Sequence, residues 1–98
     1  MIFLHLPATD RRDVLVRAGR ALGPGGTLIV LGHDRANLAK GIGGPQDPDV
    51  LYGPPDVVDD LRGAGVALAL EQADTITRPV EGADRPALDC LVRARRTA

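Results

Sequence analysis

The residues in this sequence best suited to acid–base chemistry are two histidines and one aspartate. His33 and Asp34 are adjacent, and Gly32 separates them from the apolar run at residues 27–31. His5 lies inside a second apolar run, at residues 2–6. Because a neutral imidazole can accept a proton from an incoming nucleophile near neutral pH, we predict that His33 and Asp34 are catalytic. Asp34 would orient the imidazole, bind substrate or cap a short helix.

A long polar segment follows these residues. Residues 32–53 are rich in Gly, Pro, Asp and Asn, with at most a short helical turn around residues 35–40. Loops of this length are uncommon in compact domains unless they carry function or are disordered. We therefore predict that Asn37, Gln46 and Asp47 bind substrate from this loop, although turn formation alone would also account for these residue types.

Several other chemistries are excluded by residue counts. The sequence contains no serine, which excludes a serine nucleophile, and Cys90 is its only cysteine. A single cysteine excludes an internal disulfide and a cysteine-based zinc site, and we expect Cys90 to be a small buried hydrophobic residue. The two histidines and Asp34 lack a third ligand at a recognised spacing, so no metal site is predicted.

Charge and aromatic content bear on the partners. The chain has 12 basic and 13 acidic side chains, a net charge of −1, and only Phe3 and Tyr52 as aromatic residues. This composition predicts binding to neither nucleic acid nor an anionic membrane. The apolar residues 1–6 are too few for a signal peptide or a membrane span. With one cysteine, the expected location is the reducing cytoplasm.

The elements that position the histidines are predicted by the apolar pattern. Residues 2–6 form a short buried strand that Pro7 ends, and residues 27–31 form a strand covered on both faces. Between them, a helix capped by Thr9 or Asp10 ends at the Gly-Pro-Gly-Gly segment. Such a unit places its strands in parallel with a right-handed crossover, so His5 and His33 should emerge at one rim of the sheet.

The second half of the chain is predicted to contain a helix and two strands. The helix starts at Pro54 and closes at residues 63–65. Residues 66–70 and 74–80 form one long kinked strand or two short ones, and residues 87–94 form the last strand. The last strand alternates, which indicates an antiparallel partner and one wetter face; its apolar residues are Leu88, Cys90, Val92 and Ala94, and its polar residues are Asp89, Arg93 and Arg95.

This order of elements and several motifs resemble the second half of class I S-adenosylmethionine-dependent methyltransferases, in particular small bacterial enzymes. The resemblance implies an α/β fold with a partial Rossmann-like sheet of about four strands, two main helices, and an antiparallel last pair of strands. The motifs that carry it are Phe-Leu-His-Leu-Pro at residues 3–7, Arg-Ala-Leu-Gly-Pro-Gly-Gly-Thr-Leu at 20–28, Gly-His-Asp at 32–34, Gly-Pro-Gln-Asp-Pro at 44–48 and Leu-Val-Arg-Ala-Arg at 91–95.

The same resemblance implies S-adenosylmethionine as cofactor, a small-molecule methyl acceptor, and cofactor contacts from His5 and Leu6. In that family a glycine-rich turn after the first strand and an acidic residue after the second hold the cofactor. The nearest match, residues 41–46, follows a loop and runs into Pro45 rather than into a helix. Residues 1–98 are therefore expected to be the C-terminal half of the domain, with the cofactor-binding N-terminal half absent, and to be inactive alone.

Two alternatives stay open at the level of sequence. The chain could be a non-catalytic interaction module that self-associates through the exposed edge of its first strand, because an open edge presents unpaired backbone groups. It could also be an unrelated small α/β binding protein whose long loop is the binding site.

Overall fold

The computed structural model describes residues 2–34, 51–82 and 86–97. In chain order they form β1 (Ile2–Phe3), α1 (Ala8–Ala21), β2 (Thr27–His33), α2 (Pro54–Arg62), β3 (Leu68–Arg78) and β4 (Ala87–Arg96). The predicted α/β class is confirmed. Neither helix in this part of the chain is long and apolar enough to cross a membrane.

The sheet has the order β1-β2-β4-β3. β1 is parallel to β2, with Ile2 opposite Val30, and β4 is antiparallel to both β2 and β3. The last three strands thus form an antiparallel sheet, to which β1 adds two residues at one edge. The predicted parallel pairing of the first two strands is confirmed, as is the antiparallel pairing of the last two.

β3 is one long strand with an irregularity between Leu70 and Gln72. Of the two predicted alternatives for this region, the kinked single strand is therefore correct. The irregularity shifts the register by one residue, as a β-bulge does, and lets the strand bend along β4.

Both helices pack on the same face of the sheet. Leu15 of α1 and Val57 of α2 join the core with Val30 and Val92, which are register partners on β2 and β4. The opposite face carries residues of intermediate exposure, such as Leu31 and its partner Leu91, together with exposed arginines.

The start of α1 differs from the prediction. The residue before the first turn is Pro7, without a side-chain cap, and its carbonyl accepts a hydrogen bond from the Arg11 N–H at 2.8 Å. Thr9 and Asp10 lie within the first turn, so the predicted cap at either residue is wrong. Pro7 has an extended backbone, with φ −56° and ψ 157°, so the helix begins at the next residue and the Pro7 carbonyl is its first acceptor.

The wetter face predicted for β4 needs a correction at Asp89. Arg93 and Arg95 are exposed as expected, but Asp89 is only 5% exposed. A carboxylate is buried at this position because an arginine of the adjacent strand, Arg78, forms an ion pair with it.

Candidate functional site

The two histidines meet at one rim of the sheet. His5 follows β1 and His33 ends β2, and because these strands run in the same direction their carboxyl ends lie together. The two rings are 6.1 Å apart, edge to face, at an interplanar angle of 89°. The predicted placement of both histidines on one rim is therefore confirmed, whereas their chemical roles stay predictions.

Asp34 is held on the other side of the same strand end. Its side chain is buried, and its carboxylate accepts a hydrogen bond of 2.6 Å from the Thr75 hydroxyl of β3. Its backbone N–H donates to the Leu88 carbonyl at 3.0 Å. Since consecutive strand residues point to opposite faces, His33 and Asp34 present their side chains to different faces of the sheet.

Asp89 is a carboxylate neighbour of His33. The two residues are register partners on β2 and β4, and His33 Nδ1 lies 4.0 Å from Asp89 Oδ1. Arg78 of β3 donates from Nε to Asp89 Oδ2 at 3.0 Å and from Nη2 to Oδ1 at 3.4 Å. The hydrogen bond to Asp89, together with its negative charge, raises the pKa of Arg78 above its ordinary value. The result is a row of imidazole, carboxylate and guanidinium across three strands.

Tyr52 fixes the backbone beneath this rim. Its hydroxyl donates to the Leu4 carbonyl at 3.0 Å and lies 3.3 Å from the Leu31 carbonyl, so that it bridges the chains that carry the two histidines. A side chain at Gly32 would collide with the same hydroxyl and ring. Desolvation by burial raises the pKa of Tyr52 above its ordinary range, so the phenol is a neutral donor at neutral pH.

A buried ion pair supports the tyrosine from the helices. The guanidinium of Arg11 lies 5.3 Å from the centre of the Tyr52 ring, within the range of a cation–π interaction. Arg11 Nε also donates to Asp60 Oδ2 at 2.6 Å, and both side chains are only 9% exposed. The rim is therefore braced by α1 and α2 as well as by the sheet.

The described residues at the rim match only part of S-adenosylmethionine. His5 is exposed and Leu6 is half-buried against the core. These two residues could contact one end of the cofactor, but they provide neither a glycine-rich turn nor a carboxylate for the ribose hydroxyls. The cofactor as a whole does not fit the residues that the structure describes.

The other predicted site residues are placed as follows. Asn37, Gln46 and Asp47 lie outside the described residues, as does the short helical turn expected at residues 35–40. Within residues 2–34, 51–82 and 86–97, no cluster of three or more His, Cys, Asp or Glu side chains could hold a metal ion. Cys90 is fully buried as predicted.

A cleft of about 460 Å³ lies between α2 and β3. Its lining includes Thr75, the residue that holds Asp34, and the two prolines at the start of α2. Neither His5 nor His33 lines this cleft, so the cleft and the histidine rim are separate surfaces.

Sequence reasoning missed the residues that hold the predicted ones in place: Tyr52, Thr75, Arg78 and Asp89. Only Tyr52 gave a signal, as one of two aromatic residues in the chain. The other three become partners through strand register, which the sequence pattern does not specify. No protein-family model matches the chain, and no curated protein matches it by sequence.

Proposed function

We propose that residues 1–98 correspond to the second half of a class I S-adenosylmethionine-dependent methyltransferase domain, and that the histidine rim faces a small-molecule methyl acceptor. The observation that carries this proposal is the direction and order of the strands. β1 and β2 are parallel neighbours, while β4 lies antiparallel between β2 and β3. The class I methyltransferase fold likewise inserts its last strand antiparallel between the two strands that precede it.

This insertion distinguishes the methyltransferase arrangement from an ordinary Rossmann-like sheet. In a doubly wound parallel sheet, β3 would pair directly with β2 after the α2 crossover. Here β3 runs in the same direction as β2, because both are antiparallel to β4, yet the two do not pair. The motifs at residues 3–7, 20–28 and 32–34 support the same assignment independently of the topology.

The chemistry of the rim is compatible with methyl transfer. The sulfonium of the cofactor supplies an already activated methyl group, so the protein mainly has to align the nucleophile and exclude water. His33 removes a proton from that nucleophile, because its side chain is 19% exposed and is therefore accessible to a bound molecule. A small acceptor is favoured over nucleic acid by the net charge of −1.

The test compares two proteins: the 98-residue chain, and the same chain extended by whatever the DNA encodes in frame before Met1. Each is titrated with tritiated S-adenosylmethionine, with unlabelled S-adenosylhomocysteine as competitor. We expect the extended protein to bind saturably and the shorter chain to bind at least about tenfold more weakly, a difference of about 1.4 kcal/mol. If neither protein shows saturable, competed binding, the proposed function is wrong.

The interaction module remains a second candidate, because β1 is an edge strand with β2 as its only neighbour among the described strands. Pairing of two chains through β1 would produce a dimer that depends on concentration. Gel filtration over a range of concentrations tests this, with a proline substitution at Phe3 to block backbone pairing. A monomer at every concentration would eliminate self-association.

A further inference from the structure

We propose that Asp89 is a positioning residue that holds His33 Nδ1, so that Nε2 accepts the proton of a hydroxyl or amine acceptor. The acceptor class rests on the proposed methyltransferase function. The positioning itself is a property of this chain alone and can be measured without any cofactor.

The placement of the two side chains carries this inference. His33 and Asp89 are opposite each other on neighbouring antiparallel strands, so both side chains leave the sheet on the same face. Nδ1 is a buried atom, and it lies 4.0 Å from Asp89 Oδ1. The exposed part of the ring therefore consists of its other atoms. A movement of about 1 Å would bring the pair to hydrogen-bond distance.

Arg78 determines which carboxylate oxygen faces the imidazole. Arg78 Nε donates to Asp89 Oδ2 at 3.0 Å, whereas Arg78 Nη2 lies at the longer distance of 3.4 Å from Asp89 Oδ1. A carboxylate oxygen can accept two hydrogen bonds, so Oδ1 retains the capacity to accept one from Nδ1–H. The carboxylate is itself 7% exposed, and in such surroundings a charge-assisted hydrogen bond is stronger than in water.

The chemical consequence follows from the tautomer. A neutral imidazole has one N–H donor and one acceptor nitrogen, so donation from Nδ1 to Asp89 leaves the lone pair on Nε2. The proton of an acceptor O–H or N–H then moves to Nε2, and its bonding electron pair stays on the oxygen or nitrogen, which becomes the stronger nucleophile. Asp89 stabilises the imidazolium that forms. A thioether or tertiary amine has no such proton and would gain nothing from this pair.

The experiment determines the tautomer of His33 by long-range ¹H–¹⁵N correlation NMR on the uniformly labelled chain. The spectra are recorded at a pH high enough for the imidazole ring to be neutral. We expect His33 to be mainly the Nδ1–H tautomer in the wild type and mainly Nε2–H in Asp89→Asn, since an amide NH₂ can donate to Nδ1. The tautomer of His5 is the internal reference. Asp34→Asn is the matched control, and it should leave the tautomer of His33 unchanged. An Nε2–H tautomer in the wild type would overturn the inference.

A second variant covers the case in which Asp89→Asn does not fold. Arg78→Gln alters a side chain that is 50% exposed and leaves Asp89 in place, so we expect the variant to fold. Because the guanidinium no longer orients the Asp89 carboxylate toward the ring, we expect a partial shift of the His33 tautomer toward Nε2–H. No shift in this variant would count against the arrangement. The outcomes also distinguish the positioning role of Asp89 from the proposed methyltransferase function. If the wild type has the Nε2–H tautomer and binds the cofactor, only the role of Asp89 is wrong. If the wild type has the Nδ1–H tautomer but neither protein binds the cofactor, the proposed methyltransferase function is wrong and the role of Asp89 stands.

Discussion

Replacing Tyr52 by phenylalanine removes one oxygen atom that connects the two histidine-bearing strands. The hydroxyl donates to the Leu4 carbonyl at 3.0 Å and lies 3.3 Å from the Leu31 carbonyl. Leu31 keeps a second partner, because its carbonyl also accepts from the Leu4 N–H at 2.9 Å. The main effect of the substitution is therefore on the buried Leu4 carbonyl, which loses the hydrogen bond from the Tyr52 hydroxyl.

The expected cost follows from this difference between the two carbonyls. A buried acceptor that loses its hydrogen bond costs about 1–3 kcal/mol, while the ring of phenylalanine still fills the same space under Gly32. We therefore expect Tyr52→Phe to lower the free energy of unfolding by about 1–3 kcal/mol. The loss should be concentrated at β1, which has only two residues in register with β2.

Urea unfolding followed by far-ultraviolet circular dichroism measures the total loss, and amide hydrogen exchange at Leu4 measures its location. Thr77→Val is the matched control, because it deletes a hydroxyl at an exposed position of β3 and should change stability by less than about 0.5 kcal/mol. If Tyr52→Phe costs no more than this control and leaves exchange at Leu4 unchanged, the hydroxyl does not connect the strands.

Four further substitutions test the packing around the site and the burial of Cys90. Gly32→Ala should destabilise the protein by about 1–3 kcal/mol because the new methyl group meets the same tyrosine; urea unfolding without a loss would contradict that contact. Arg11→Ala should cost about 3–5 kcal/mol because it leaves Asp60 buried without its cation, whereas Arg17→Ala, which breaks an exposed ion pair, should cost less than about 1 kcal/mol. Equal losses in the two arginine variants would refute this. Burial raises the pKa of Cys90 to about 12 from 9.0, so the folded state holds this proton more tightly than the unfolded state, and stability should fall as pH rises from about 9 toward 12. Cys90→Ala should reduce that slope, and a slope unchanged in the variant would show that another group causes it.

The parallel strands and the helix between them could be predicted because their signals are local. Continuous apolar residues at 27–31 indicate a strand, and Gly-Pro-Gly-Gly ends the helix before it. Of the two faces predicted to be covered, only one is fully buried among the described residues, because Leu28 and Val30 are buried whereas Leu31 is half-buried. Once the first two strands are parallel neighbours, the proximity of His5 and His33 follows from geometry. The start of α1 differs from the prediction because Thr9 and Asp10 are favourable caps by residue type, whereas the helix begins at Ala8 without any side-chain cap.

The support around the site could not be predicted because it depends on register between distant residues. Asp89 was expected on a wet face, since alternation alone does not show that Arg78 of β3 lies beside it. Tyr52 reaches across to Gly32, twenty residues earlier in the chain, and only the folded backbone shows that the glycine makes room for it. Short-range pattern thus predicts the elements, whereas contacts across the sheet determine the surroundings of the histidines.

Photolabelling tests the central claim most directly. The protein, extended by any in-frame upstream sequence, is irradiated with tritiated S-adenosylmethionine, digested with trypsin and analysed by mass spectrometry. We expect label in the peptide that ends at Arg11, which contains His5 and Leu6, and loss of that label with excess S-adenosylhomocysteine. Label confined to other peptides, or label that the competitor does not remove, would contradict a methyl-transfer site at this rim.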